Sequence, residues 1–319
     1  MSDTEIKPQT QAQSLKNLDE VRAMIRRHKF NDYVFAMIGL IALMIGLLTL
    51  LTLFVDLIMD GYARFSPDFF TEFPSRRAAK AGLLSALVGS GLVMLVTLST
   101  AVPLGVAAGV YLEEYAPKNW FSDLIEINVT NLAGVPSIIY GLLALGLFVY
   151  ILDLGQSILT AGLTLGLLIL PVVIVSTREA IRAIPVAIRE GAYAVGATKW
   201  QVVSDHILHY ASGGILTGVI IGMARALGET APVITIGALT FIAFLPPSPV
   251  MAEAPFISFE WLSSGFTVLP IQMFNWLSRP DVAFHANAAA TGVVIIVVTL
   301  LMNGTAIWMR YRIRKNIKW

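Results

Sequence analysis

Arg225 and Glu229 lie four residues apart in ARALGETAP, residues 224–232, within a stretch apolar enough to cross a bilayer. That spacing puts both on one helical face, where they can pair. Each charge near a bilayer centre costs roughly 2.5–3.5 kcal/mol on the lenient insertion scale, so two lipid-facing charges would oppose insertion. Both are therefore expected to face protein or water. Gly214, Gly218 and Gly222 recur every four residues on the same segment, a small-residue stripe that lets a second helix approach closely. A close-packed helix with a charged pair in its middle suits a substrate path between helices. The competing reading is a structural ion pair that only fixes helix register.

Other chemistries find little support. The 319 residues include no cysteine, which excludes disulfides, thiol catalysis and thiolate metal sites. Of the four histidines, His206 and His209 are three apart beside Asp205, but an interfacial helix face explains them better than a metal site. Gly191 and Gly196 have the spacing of a phosphate-binding loop, yet Ala197 stands where its lysine is needed, and no strand precedes the segment. No serine, histidine and aspartate arrangement or carboxylate dyad stands out. The chain is not expected to be an enzyme or to need a cofactor, and any ATP must be hydrolysed by a partner.

The elements that position the pair are expected to be membrane helices. With 56% hydrophobic and 13% charged residues, the composition is that of a polytopic, all-α membrane protein in contact with lipid, and the net charge of +1 gives no reason to expect nucleic acid. Apolar runs predict six spans near residues 33–57, 82–110, 128–151, 157–177, 211–243 and 286–309. The loops on one side then hold 16 Lys and Arg and those on the other 5, which places both termini in the cytoplasm. Arg64, Arg76, Arg77 and Lys80 run against that rule, and docking of an external partner would account for them.

The expected organisation is a cytoplasmic tail at 1–32, an uncleaved transmembrane helix at 33–60, a membrane core at 80–309 and a basic cytoplasmic tail at 310–319. Residues 1–20 are polar and expected to be disordered. The outer loop from Phe244 to His285 has six prolines, which disfavour a continuous helix, while Trp261, Phe266, Phe274 and Trp276 suit an interface or a cap. Pro103, Pro136, Pro171 and Pro232 are expected to break four spans, as a moving path would require.

Between Arg178 and Tyr210 the apolar pattern stops, and the segment reads as two short helices. Pro185 suits a first helical turn, Gly196 a helix end, and Thr198 with Gln201 a reciprocal cap for the second helix. Trp200, Val203, Ile207 and Tyr210 follow at helical spacing. The segment EGAYAVGATKWQVVSDHIL resembles the EAA loop of ABC-importer permeases, a coupling helix that docks into a cytoplasmic ATPase. Glu190, Ala192 and Gly196 match, Gly191 holds the middle small position, and His209 stands where many members have proline.

The segments ARALGETAP, NLAGVPSIIYGLLALGLFV, LPVVIVSTREAIRAIP and LPIQMFNWLSRP resemble PstA-type permease subunits of the phosphate ABC importer, over about residues 80–305. The resemblance implies a type-1 permease fold in the bacterial cytoplasmic membrane. It also implies a homologous PstC-type permease, two cytoplasmic ATPase subunits and an extracytoplasmic phosphate-binding protein as partners. Arg225 and Glu229 become residues of phosphate passage, with Arg178 as a further arginine of the pathway, and Glu190, Gly191, Ala192 and Gly196 the ATPase-coupling residues. The alternatives are a permease for sulfate or phosphonate, a membrane enzyme using the pair in acid–base chemistry, or a non-transporting scaffold.

Overall fold

The computed structural model describes residues 8–251 and 256–315, all helices, turns and loops apart from one isolated bridge between Val250 and Ile257. Five described helices are long and apolar enough to cross a membrane, and a bent pair makes up to six. The chain forms two compact units divided between Asp56 and Leu57. In the first, helix α1 (Pro8–Gly61) is continuous, so residues 8–20 are helical rather than disordered; three Gln, two Leu, Ala12 and Lys16 among them favour helix. The reading of residues 1–7 lies outside the described residues. Residues 24–53 of α1 are all exposed in the isolated chain, as suits a helix surrounded by lipid or another subunit.

The second unit is built around α5 (Ile158–Arg182), which runs between α2 (Leu84–Val110) and α7 (Leu208–Gly228). Ser157 caps its start by accepting from the Thr160 N–H. Small residues set both contacts. Gly105 and Gly109 of α2 lie against Val173 and Thr177, and Gly162 of α5 lies against Val96. On the opposite flank Gly214, Gly218 and Gly222 face Ala180, Ser176 and Ile169, so the predicted stripe is the α5–α7 seam. A Cβ on Gly218 would overlap the Ser176 side chain, and only glycine permits this approach.

Three spans differ from their expected form. The third is a broken one: α3 (Trp120–Leu132) and the helical segment from Ser137 to Ile151, which begins with α4 (Ser137–Ala144), meet at 105°. Pro136 sits at the start of α4, where its missing N–H costs nothing. The fifth begins earlier and ends earlier than predicted, running from Lys199 to Gly228 and stopping before Glu229. Pro232 then opens a separate short helix, α8 (Ala231–Thr235). Of the four prolines only Pro103 and Pro171 lie inside helices; Pro136 and Pro232 start new ones. The last span, α10 (Ala283–Lys315), continues through the described part of the basic tail; residues 316–319 lie outside the described residues.

The long proline-rich loop folds inward. Its helix α9 (Leu269–Leu277) buries Trp276 against Phe69, and Trp261 and Phe266 are also buried, while Phe274 stays exposed. Ser90 of α2 accepts from the Leu269 N–H at 2.8 Å, fixing the start of α9. Arg64 is likewise structural: it donates to Asn287 Oδ1 and, at 2.9 Å each, to the carbonyls of Ala79 and Ala81. Asn287 in turn donates to the Ala78 carbonyl. This hub explains one of the four cations that run against the charge rule.

Candidate substrate path and coupling surface

Arg225 lies in the last turn of α7, and Glu229 is the residue that caps it, in extended backbone conformation. The chain therefore leaves the helix between the two, yet they pair, with Arg225 Nε 3.2 Å from Glu229 Oε1. The pair thus stands at a helix end, where backbone carbonyls are left unpaired and favour a cation. Arg225 is 39% exposed and Glu229 19%. Among the described residues Arg225 makes only that hydrogen bond, so the two terminal nitrogens of its guanidinium remain available. They form a planar fork suited to two oxygens of one anion.

The space behind the pair is small. Glu229 lines a cavity of about 10 Å³ with Ser90, Met94, Leu165 and Val268, room for about one water at most. A tetrahedral oxyanion does not fit in this cavity, and the partly exposed Arg225 side chain is the accessible member of the pair.

Arg178 is not brought to this pair. The α5–α7 seam sets Gly222 beside Ile169, so Arg225 is level with about residue 166, and Arg178 lies roughly 18 Å further along α5 at 1.5 Å per residue. There it is only 7% exposed. Its guanidinium meets Glu126 of α3 at 2.8 Å and Glu113 at 3.4 Å, while its Nε is buried without a hydrogen-bond partner. Arg182, one turn on, reaches the same Glu113 at 3.0 Å. The positive charge of Arg178 is thus largely offset in the structure described.

At this same end, the Arg178–Tyr210 segment forms the predicted first helix, α6 (Val186–Ala194), with Pro185 just before it. Gly196 adopts φ +86°, a left-handed conformation that glycine takes without strain, and its N–H closes on the Tyr193 carbonyl. Thr198 and Gln201 form the reciprocal cap, with the Thr198 N–H donating to Gln201 Oε1 at 2.8 Å. The second helix is not a separate piece: Lys199–Gln201 continues through a π-helical segment, Val202–Ile207, into α7. Its buried residues, Val202, Val203 and Ile207, belong to the continuous run Lys199–Gly228.

Glu190 and Gly191 are exposed, and Ala192 is buried beneath them. Val186, Tyr193 and Val195 are exposed around them, Val195 to 85%. An exposed acidic residue and three exposed apolar side chains thus share this short helix and the turn after it. Several charges that hold this end together have no signal in local spacing. Glu113, Glu114 and Glu126 find Arg178, Arg182 and Arg189 across 52 to 75 residues of chain. The adjacent Glu113 and Glu114, in a chain poor in charge, were the available hint.

A helical bundle with a broken third span, a short surface helix between spans and a charged pair at a helix end defines a transport subunit, and the chain belongs to the family of binding-protein-dependent transport system inner membrane components, whose model matches residues 101–318. It is 31% identical over 282 residues to the phosphate transport system permease protein PstA of Yersinia pestis, covering 87% of this chain and 88% of that one. It is 34% identical over 234 residues to PstA of Haemophilus influenzae, covering 72% and 82%. The probable ABC transporter permease protein YqgI of Bacillus subtilis is 30% identical, covering 88% and 95%. Among solved structures, the inward-facing MetNI methionine ABC transporter superposes with a TM-score of 0.54 at 15% identity, over 72% of this chain and 97% of that one, a likeness of fold.

Proposed function

We propose that this chain is the membrane permease subunit of an ATP-driven importer of inorganic phosphate in the bacterial cytoplasmic membrane. The observation that carries the reading is Arg225, held by Glu229 through Nε, its terminal nitrogens making no hydrogen bond among the described residues. Similarity to the PstA proteins supports phosphate as the anion.

In this reading a homologous PstC-type permease supplies the second wall of the path, and membrane lipid surrounds the rest. Of two cytoplasmic ATPase subunits one docks on α6, with Glu190, Gly191, Ala192 and Gly196 as the coupling surface, and an extracytoplasmic phosphate-binding protein delivers the anion. Both chain termini are cytoplasmic, consistent with the excess of Lys and Arg on the α6 side. Nucleotide binding draws the ATPase subunits together and turns α6; the path opens outward, accepts phosphate and returns it inward after hydrolysis.

Arg225 offers two parallel donors to phosphate oxygens while Glu229 orients the guanidinium and keeps the site from holding the anion too tightly to release. Arg178 enters the reading as a cation at the inner end of the path, secondary to Arg225 because Glu113 and Glu126 offset its charge. Reconstitution with the partner subunits and measurement of ATP-dependent uptake tests the proposal. Uptake of phosphate well above sulfate is expected; equal uptake of both anions would overturn the choice of substrate.

A further inference from the structure

Arg189 sits in the middle of α6 and makes four hydrogen bonds to two other elements. Its Nε and Nη2 donate to Oε1 of Glu114 at 3.1 and 2.8 Å. Its Nη1 donates to the Ile184 carbonyl and its Nη2 also to the Ile181 carbonyl, each at 3.0 Å. Those carbonyls lie at and just past the end of α5, where the helix leaves acceptors unpaired. Glu114 belongs to the π-helical segment Tyr111–Tyr115 that ends the α2 span. The arginine and the glutamate are 19% and 10% exposed, so water screens the pair little.

The neighbouring glutamate extends the connection. Glu113 holds Arg182 through both of its oxygens and also meets Arg178, and Arg178 reaches Glu126 on α3. Two adjacent carboxylates at the end of α2 therefore tie together α6, the end of α5 and α3. Glu113 and Glu114 face three arginines, and each of those arginines has at least one carboxylate within reach.

We infer that Arg189 and Glu114 form the joint through which displacement of α6 reaches α2, with Glu113 passing it on to α5 and α3. Three features of the geometry support this. The joint is the side-chain link that binds the exposed helix to two spans at once. Contacts to one Glu114 oxygen and to the Ile181 and Ile184 carbonyls hold the guanidinium from several sides, which resists rotation in a way a single contact does not. The end of α2 that it joins is π-helical, at Tyr111–Tyr115, and a π-helical turn is a frequent feature of functional sites. Arg189 and Glu114 are positioning residues: neither needs to touch the transported anion.

The inference rests on the reading of α6 as the ATPase-docking helix, and its test uses the whole importer with its ATPase subunits. The chain has no cysteine, so Ala107→Cys, exposed on α2 two turns before Glu114, gives a single reporter thiol on this subunit. Its labelling rate is measured with and without ATP, and retention of the ATPase subunit is measured by co-purification.

In the importer carrying only the reporter, ATP is expected to change the labelling rate several-fold. With Glu114→Gln or Arg189→Gln added, the change should fall below two-fold while the ATPase subunit is still retained. Arg189→Lys, which keeps the charge but cannot span all the partners, should give an intermediate response, and it carries the test if either glutamine variant loses the ATPase subunit. A full ATP response in Arg189→Lys and in any glutamine variant that retains the ATPase, or no response in the reporter importer, overturns the proposal. No phosphate enters this readout. Its failure counts against the joint, whereas failed phosphate uptake by the unmodified importer counts against the substrate.

Discussion

Arg225 and Glu229 pair at 3.2 Å although the helix that carries the arginine ends before the glutamate. Glu229 reaches back from extended backbone, so the pair depends on how the chain leaves α7 as well as on helical periodicity. This separates its two parts: the arginine is held by a rigid helix, and the carboxylate by the turn into α8.

If the pair serves anion passage, Arg225→Ala should abolish phosphate uptake and also destabilise the subunit by leaving Glu229 without its partner. Arg225→Lys should keep assembly but lower uptake at least about tenfold, since a point charge replaces a planar fork. The double variant Arg225→Gln with Glu229→Gln removes both charges and should restore membrane abundance without restoring uptake. Quantifying abundance by immunoblot beside uptake checks this, and recovered transport in the double variant would falsify the pathway role.

The seam between α5 and α7 predicts a steep dependence on size at Gly218. Gly218→Ala should destabilise the purified subunit by about 1–3 kcal/mol, the usual cost of overpacking, because the added methyl meets Ser176. Gly91 has no neighbour near its missing Cβ, and Gly91→Ala should be neutral or slightly stabilising. Thermal unfolding in detergent, followed for both variants, ranks them.

At the coupling surface, Gly196→Val should strain the left-handed turn after α6, with a cost of about 1–2 kcal/mol confined to that loop. Glu190→Ala removes an exposed group and should leave stability unchanged. Both should reduce transport while the chain still inserts. Normal ATPase stoichiometry together with normal uptake in either variant would show that the surface does not couple.

The two carboxylates that meet Arg178 should differ in weight. Glu113 is 17% exposed and serves two arginines, whereas Glu126 is 41% exposed. Glu113→Gln is expected to cost about 3 kcal/mol or more, as for breaking a mostly buried pair, and Glu126→Gln less than about 1 kcal/mol. Raising salt should shrink the smaller effect further and barely alter the larger. Denaturation midpoints in low and high salt test the order.

What the sequence determined by itself was whatever rests on local interactions. Hydropathy marked the spans, the Thr198–Gln201 cap and the Gly196 turn were legible from side-chain chemistry, and the glycines of α7 announced a close neighbour. Four-residue spacing also found the Arg225–Glu229 pair. The tertiary structure decided where helices stop and which distant charges meet. It ended α7 before Glu229, bent the third span at Pro136, and joined Lys199–Gln201 to the fifth span. It folded Trp276 of the proline-rich loop under Phe69, and it set Glu114 against Arg189, 75 residues away. A cap or a periodic stripe is satisfied within a few residues of chain. The partner of a buried carboxylate is instead chosen by whichever helices pack beside it, and residue spacing carries no measure of that distance.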